Sequence, residues 1–303
     1  MNFLTVMNQV IVIFIIVMVG FILRKINYLN KQIIKGITDI LLNVAIPAIT
    51  IYSFNMELTE DTLAGASIVL IFGLLSMGSA AVIGAILFRK YPPDIKTVMR
   101  FAAVFTNSAF MGFPVLGSIF GGLGIFYASM YGIAFNLYLW TFGRILFTGS
   151  KDLTAIKKAL LNPGIISVII GLIFFLTPLE MPFLMVRTSE MLGNLTTPLA
   201  MIVIGARLAD VKPREMLQGK QIYYAAVLRL LVFPAVALLI LKALNVEQQV
   251  LAVCTLLTAM PAASNTVLFA ENYGGDSLLA SKIVALSTAL SILTIPLFAM
   301  LLT

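Results

Sequence analysis

Phe105-Thr106-Asn107-Ser108-Ala109-Phe110-Met111-Gly112-Phe113-Pro114 and Ala259-Met260-Pro261-Ala262-Ala263-Ser264-Asn265-Thr266 decide how this chain folds. Each stretch puts an amide, a hydroxyl and a proline near the middle of an apolar run able to cross a hydrocarbon core ~30 Å thick. Proline has no N–H and clashes with the preceding turn, so it frees backbone carbonyls. In lipid such groups must find partners in protein or in a water-lined cavity. Two interrupted helices at corresponding places in two halves point to a transporter binding site. Half-helix N-termini carry partial positive charge and free N–H groups, which suit an anion. Asn107 and Asn265 add amide donors for a carboxylate, and the candidate substrate-binding set is Asn107, Gly112, Pro114, Pro261, Ser264 and Asn265. The plainer alternative is that the prolines only kink their helices while the Asn side chains bond neighbouring helices.

Outward from these stretches, apolar runs recur along the whole chain. We place ten spans at roughly 6–23, 33–54, 63–88, 97–120, 123–147, 162–179, 188–209, 221–242, 248–271 and 277–302. The run at 162–179 is only just long enough to span. Hydrophobic residues make up 60% of the 303 residues and charged ones 11%, far from the ~25% charged of a soluble domain. This composition predicts an all-α integral membrane protein of the multi-pass, cell-membrane class, in contact with lipid. The first run lacks a basic leader and is expected to stay as a helix.

The net charge of +7 does not imply nucleic acid, because the basic residues sit in short loops where membrane orientation explains them. Four alternate loops carry four each: Arg24, Lys25, Lys31, Lys35; Arg89, Lys90, Lys96, Arg100; Arg144, Lys151, Lys157, Lys158; and Arg207, Lys212, Arg214, Lys220. By the positive-inside rule this side is cytoplasmic, and both termini are expected outside. Histidine is absent and Cys254 is the one cysteine, so no metal site, cofactor or disulfide is expected. An intramembrane enzyme would need a paired acid and base or a metal constellation, and the spans offer neither.

The halves resemble each other. Gly20-Phe21-Ile22-Leu23 returns as Gly171-Leu172-Ile173-Phe174, an offset of 151, which also carries Asp39, Asn43 and Pro47 onto Glu190, Asn194 and Pro198. Phe120-Gly121-Gly122 matches Tyr273-Gly274-Gly275 at 153. Five spans per half is odd, so the second half must be inserted upside-down, as in secondary transporters. The expected organisation is a first repeat at 1–147, a cytoplasmic linker at 148–161 and an inverted repeat at 162–303.

Asn107 with Gly112 and Pro114, and Met260-Pro261-Ala262-Ala263-Ser264-Asn265-Thr266 with Phe269-Ala270-Glu271, resemble the fourth- and ninth-helix motifs of the auxin efflux carrier family in its bacterial form. Ser287-Thr288, Ser291 and Thr294-Ile295-Pro296 are similar to its last helix, so the resemblance covers essentially the whole chain. It implies a fold like that of sodium/proton antiporters and bile-acid symporters, with broken helices 4 and 9 crossing at mid-membrane. It further implies a scaffold of helices 1, 2, 6 and 7, a transport unit of helices 3–5 and 8–10 with an elevator motion, and a homodimer. The cargo it implies is a small organic anion, such as malate, malonate or an auxin-like acid. The alternative is a cation-coupled exchanger of inorganic ions on the same fold, which needs a mid-membrane acid.

Charges within the spans are functional candidates by default. Arg229 lies ~12 Å along the eighth span, where it either stabilises the transport unit or attracts a second carboxylate. Lys282, in the tenth, is expected to snorkel to the interface. Asp39 and Glu190, early in the second and seventh helices, are expected to complement the helix N-terminal dipole, with proton coupling as the sharper reading.

Overall fold

The computed structural model describes residues 3–149, 161–210 and 218–302. Most of the expected linker therefore lies outside the described residues, with Lys151, Lys157, Lys158, Lys212 and Arg214. All regular structure among the described residues is helical, apart from one isolated antiparallel bridge between Thr106 and Ala262. A helix pairs its backbone groups internally, which apolar runs in lipid require.

In chain order the helices are α1 (Phe3–Lys25), α2 (Lys31–Ser53), α3 (Glu60–Leu87) and α4 (Pro93–Val104). The run Ser108–Thr148 is broken at Gly121, φ 61 and ψ −144, into α5 (108–120) and α6 (122–148). Only glycine enters that region of backbone space without strain. Then follow α7 (Pro163–Leu176), α8 (Phe183–Asp210), α9 (Lys220–Ala243), α10 (Gln248–Ala259), α11 (Asn265–Tyr273) and α12 (Ser277–Leu301). Among the described residues, six helical runs are long and apolar enough to cross a membrane: α2, α3, Ser108–Thr148, α8, α9 and α12. The chain is thus a multi-helical membrane protein by length and composition. The helix in the run at 162–179 is shorter than expected, 14 residues, or ~21 Å. Pro178 is the cause: it forces Thr177 to extended angles, φ −112 and ψ 159.

Two compact units form, each drawing on both halves of the sequence: Met1–Leu70, Ala109–Ile133 and Lys158–Asp210 in one; Ile71–Ser108, Ala134–Lys157 and Val211–Thr303 in the other. In the first, glycines let helices touch backbone to backbone. A Cβ on Gly20 of α1 would meet Ile202 O of α8 at 2.3 Å, and one on Gly205 of α8 would meet Val17 O at 1.9 Å. A Cβ on Gly171 of α7 would strike the Phe54 ring at 2.3 Å. In the second unit α4, α9 and α12 share a buried core that includes Val98, Ala102, Ile222, Ala226, Ala280 and Ile283.

Helix α2 widens to a π-helical turn over Leu41–Ala45, and α8 is interrupted at 194–195. Pro47 and Pro198 account for both. Each lacks the N–H that Asn43 or Asn194 C=O, four residues back, would accept. The Asn-x-x-x-Pro pattern is therefore a bend signal in both helices.

Candidate functional site

The site is built where the two motif stretches unwind in the second unit. Helix α4 ends at Val104, and α10 at Ala259, followed by Met260 at φ −62, ψ 145. The extended segments after them run antiparallel. Asn107 N–H donates to Pro261 O at 2.8 Å, and Ala263 N–H donates to Phe105 O at 2.9 Å. These two bonds flank the Thr106–Ala262 pair, so Pro261 contributes the carbonyl the bridge needs and its missing N–H costs nothing there. Ala262 N–H, directed out of the bridge, donates to Ser287 Oγ of α12 at 3.2 Å. Phe101 and Phe105 stack at 4.3 Å, with Phe135 and Phe269 at 5.5 and 5.0 Å from them.

Asn107 is 3% exposed, yet its carboxamide has no hydrogen-bond partner among the described residues. Thr106 Oγ1 and Thr266 Oγ1 are buried and have no partner among the described residues. Buried polar groups are nearly always paired, so these two hydroxyls and the Asn107 carboxamide beside one unwound crossing form a polar surface suited to a ligand. Asn265 opens α11 without a side-chain cap from Ser264, and the backbone serves the first turn instead: Thr266 N–H donates to Ala263 O at 2.9 Å and Val267 N–H to Ser264 O at 3.2 Å. Ser264 and Asn265 are half-buried, whereas Pro261 and Thr266 are buried.

Arg229 reaches the crossing. It is the one charged side chain among the buried polar residues described, 3% exposed. Its Nη1 donates to Ala103 O at 2.8 Å, its Nη2 to Thr258 O at 2.5 Å and its Nε to Met260 O at 3.2 Å. Helix α9 widens to a π turn over Leu228–Val232 ahead of Pro234, which cannot donate to Leu230 O.

The sequence model of a family described as membrane transport protein matches residues 5–299. The chain belongs to the membrane transport protein family. It is also similar to an uncharacterized transporter of Methanothermobacter thermautotrophicus, 27% identical over 97% of this chain and 98% of that one. A second uncharacterized transporter, of Methanocaldococcus jannaschii, is 23% identical over 96% and 97%. The resemblance read from the motifs around Asn107 and Asn265 thus holds over nearly the whole chain.

Other candidates in this family member lie elsewhere. Gly112 closes the π-helical turn Ser108–Gly112, and Pro114 is the second residue of the following α-helical stretch, where its missing N–H is tolerated. Both are buried and fall in the first unit. Lys282 is half-buried in the second turn of α12. The dipole reading of Asp39 and Glu190 is corrected: no acid occupies the first turn of either helix. Asp39 is the ninth residue of α2 and exposed; Glu190 is the eighth of α8. Sequence patterning placed both helix starts too late, and the dipole effect fades within one turn. Glu190 instead accepts from Arg187 Nη1 at 2.6 Å and from Tyr52 Oη at 3.4 Å. Among the described residues no group of three Cys, Asp or Glu converges as a metal site would require.

Proposed function

We propose that this transporter carries small organic anions of the carboxylate class, bound at the crossing through the side chains of Asn107 and Asn265 beside the positive end of α11. The observation that carries the reading is the polar surface beside the unwound segments, where Asn107 is 3% exposed with no side-chain hydrogen bond to another described residue and Thr106 Oγ1 and Thr266 Oγ1 are buried without a described partner. Neutral donors and a helix N-terminus favour a carboxylate over a cation.

We further infer ten spans in two inverted five-helix repeats, with the third to fifth and eighth to tenth spans as the transport part of an elevator mechanism. Three observations support the inversion. The breaks after Val104 and Ala259 are paired. The bends ahead of Pro47 and Pro198 recur at the offset of 151. Finally, Gly20 packs α1 on α8 while Gly171 packs α7 on α2, and exchanging first with sixth and second with seventh helix turns one pair into the other. Arg24 Nε donates to Asp210 Oδ1 at 2.6 Å, so α1 and α8 end on one side, which the basic loops make cytoplasmic. A homodimer follows from the family resemblance.

The test is a thermal-shift screen of purified protein against malate, malonate and indole-3-acetate, followed by uptake of the responding acid into proteoliposomes. A ligand at a hundred times its Kd stabilises by ~2.7 kcal/mol. Asn107→Ala removes both shift and uptake while the protein stays folded. Undiminished uptake by that variant refutes the site; lack of a shift with every acid refutes the anion class.

A further inference from the structure

Helices α4 and α10 bring two C-terminal ends to one place, and each end carries roughly half a negative charge with last carbonyls that find no partner within their own helix. Left alone, these ends repel each other and burial penalises their oxygens. The Arg229 guanidinium meets both ends at once, binding Ala103 O from α4 with Thr258 O and Met260 O from α10. Its planar fork presents donors in fixed directions, which the point charge of a lysine ammonium does not reproduce. The π turn at Leu228–Val232 sets the register of this side chain within α9.

We propose that Arg229 is the positioning residue of the crossing. It clamps the ends of α4 and α10 and cancels their negative poles, which would otherwise repel an anion at the crossing. The consequence for substrate charge rests on the anion reading above; the clamp itself does not.

Cys254 reports on the clamp without any substrate. It is fully buried one turn before Thr258, whose Oγ1 donates to Cys254 O at 2.8 Å, and it is the sole cysteine. Labelling by N-ethylmaleimide in detergent reads opening of the α10 end. Arg229→Ala accelerates labelling by about tenfold or more through local opening. Millimolar guanidinium chloride restores protection, and equal tetramethylammonium chloride does not. Leu230→Ala, at a 2% exposed neighbour in the same π turn, lowers thermal stability without matching this acceleration. Labelling at the wild-type rate overturns the proposal, as does equal acceleration by Leu230→Ala or absence of guanidinium rescue. Should Arg229→Ala fail to fold, Arg229→Lys replaces it: intermediate labelling supports the clamp, and the wild-type rate overturns it. Failure of the carboxylate screen leaves this result standing, so the two ideas are judged apart.

Discussion

Gly205→Ala and Gly36→Ala make the same chemical change in helices of one unit and are expected to move stability in opposite directions. A Cβ on Gly205 would lie 1.9 Å from Val17 O and 2.7 Å from Phe21 N, both backbone atoms of α1 that no rotamer change can withdraw. An ordinary carbon–oxygen contact is ~3.3 Å, so α1 and α8 must part locally by roughly 1.4 Å. A gap of ~0.5–1 Å already forfeits a quarter to a half of the dispersion attraction across it. This puts the packing cost at the upper end of the ~1–3 kcal/mol typical of overpacking. Alanine returns about 1 kcal/mol through its better helix propensity, for a net loss near 2 kcal/mol. Gly36, inside Lys31–Ile40, has nothing within 4 Å of its added Cβ. Gly36→Ala therefore keeps only the propensity gain, about 1 kcal/mol. Thermal unfolding in detergent, followed by circular dichroism, reads these as shifts of a few degrees each, down for Gly205→Ala and up for Gly36→Ala. Shifts of the same sign would falsify the claim that backbone contact at Gly205 joins α1 to α8.

Three further outcomes are expected. Ser287→Ala leaves the Ala262 N–H at the crossing without its acceptor and costs ~1–3 kcal/mol, measured by the same unfolding assay. Asn107→Ala, which removes no side-chain hydrogen bond to a described residue, leaves cooperative unfolding in the same assay while erasing any carboxylate-induced thermal shift. Arg24→Gln breaks the 2.6 Å pair with Asp210, whose side chain is 39% exposed, and costs below ~1 kcal/mol, less at high salt; a double-mutant cycle with Asp210→Asn isolates that term.

What the sequence made legible was whatever one chain segment determines by itself. Pro261, Pro114 and the polar run through Asn107 marked both breaks, because a missing N–H and a mid-span amide act locally. The apolar runs gave helices for the same reason. Contacts between segments stayed hidden. Ser287 belonged to a recognisable last-helix pattern, yet nothing in that pattern says its Oγ accepts from Ala262, 25 residues upstream. Arg229 stood out as a charge in an apolar run, but whether it faced a substrate or three carbonyls depended on the register set by the π turn before Pro234. Asp39 and Glu190 were misplaced because the expected spans begin just after a polar or charged residue, Gln32 or Arg187, whereas a helix end extends past such residues. Here α2 begins at Lys31 under an Asn30 cap, and α8 begins at Phe183.

The paired breaks and the single clamp together constrain how far the two halves can remain alike. Under the proposed repeat, offsets of 151 to 153 carry Arg229 back to the stretch from Gly78 to Ser76, so the first half supplies no cation there. One guanidinium suffices because the antiparallel bridge brings Ala103, Thr258 and Met260 within reach of a single fork. A second cation serving the same carbonyls would sit against the first, and like charges close together in a poorly solvated interior oppose each other's ionisation. Gly78 is also spatially committed, since a Cβ there would lie 2.8 Å from the Tyr138 hydroxyl. An arginine introduced at that position would meet that hydroxyl before it could reach the crossing. The backbone breaks can therefore be shared by both halves, because each half has its own helix end to interrupt. The charge that stabilises those ends is needed once, and a repeat built this way stays symmetric in its backbone while becoming asymmetric in its electrostatics.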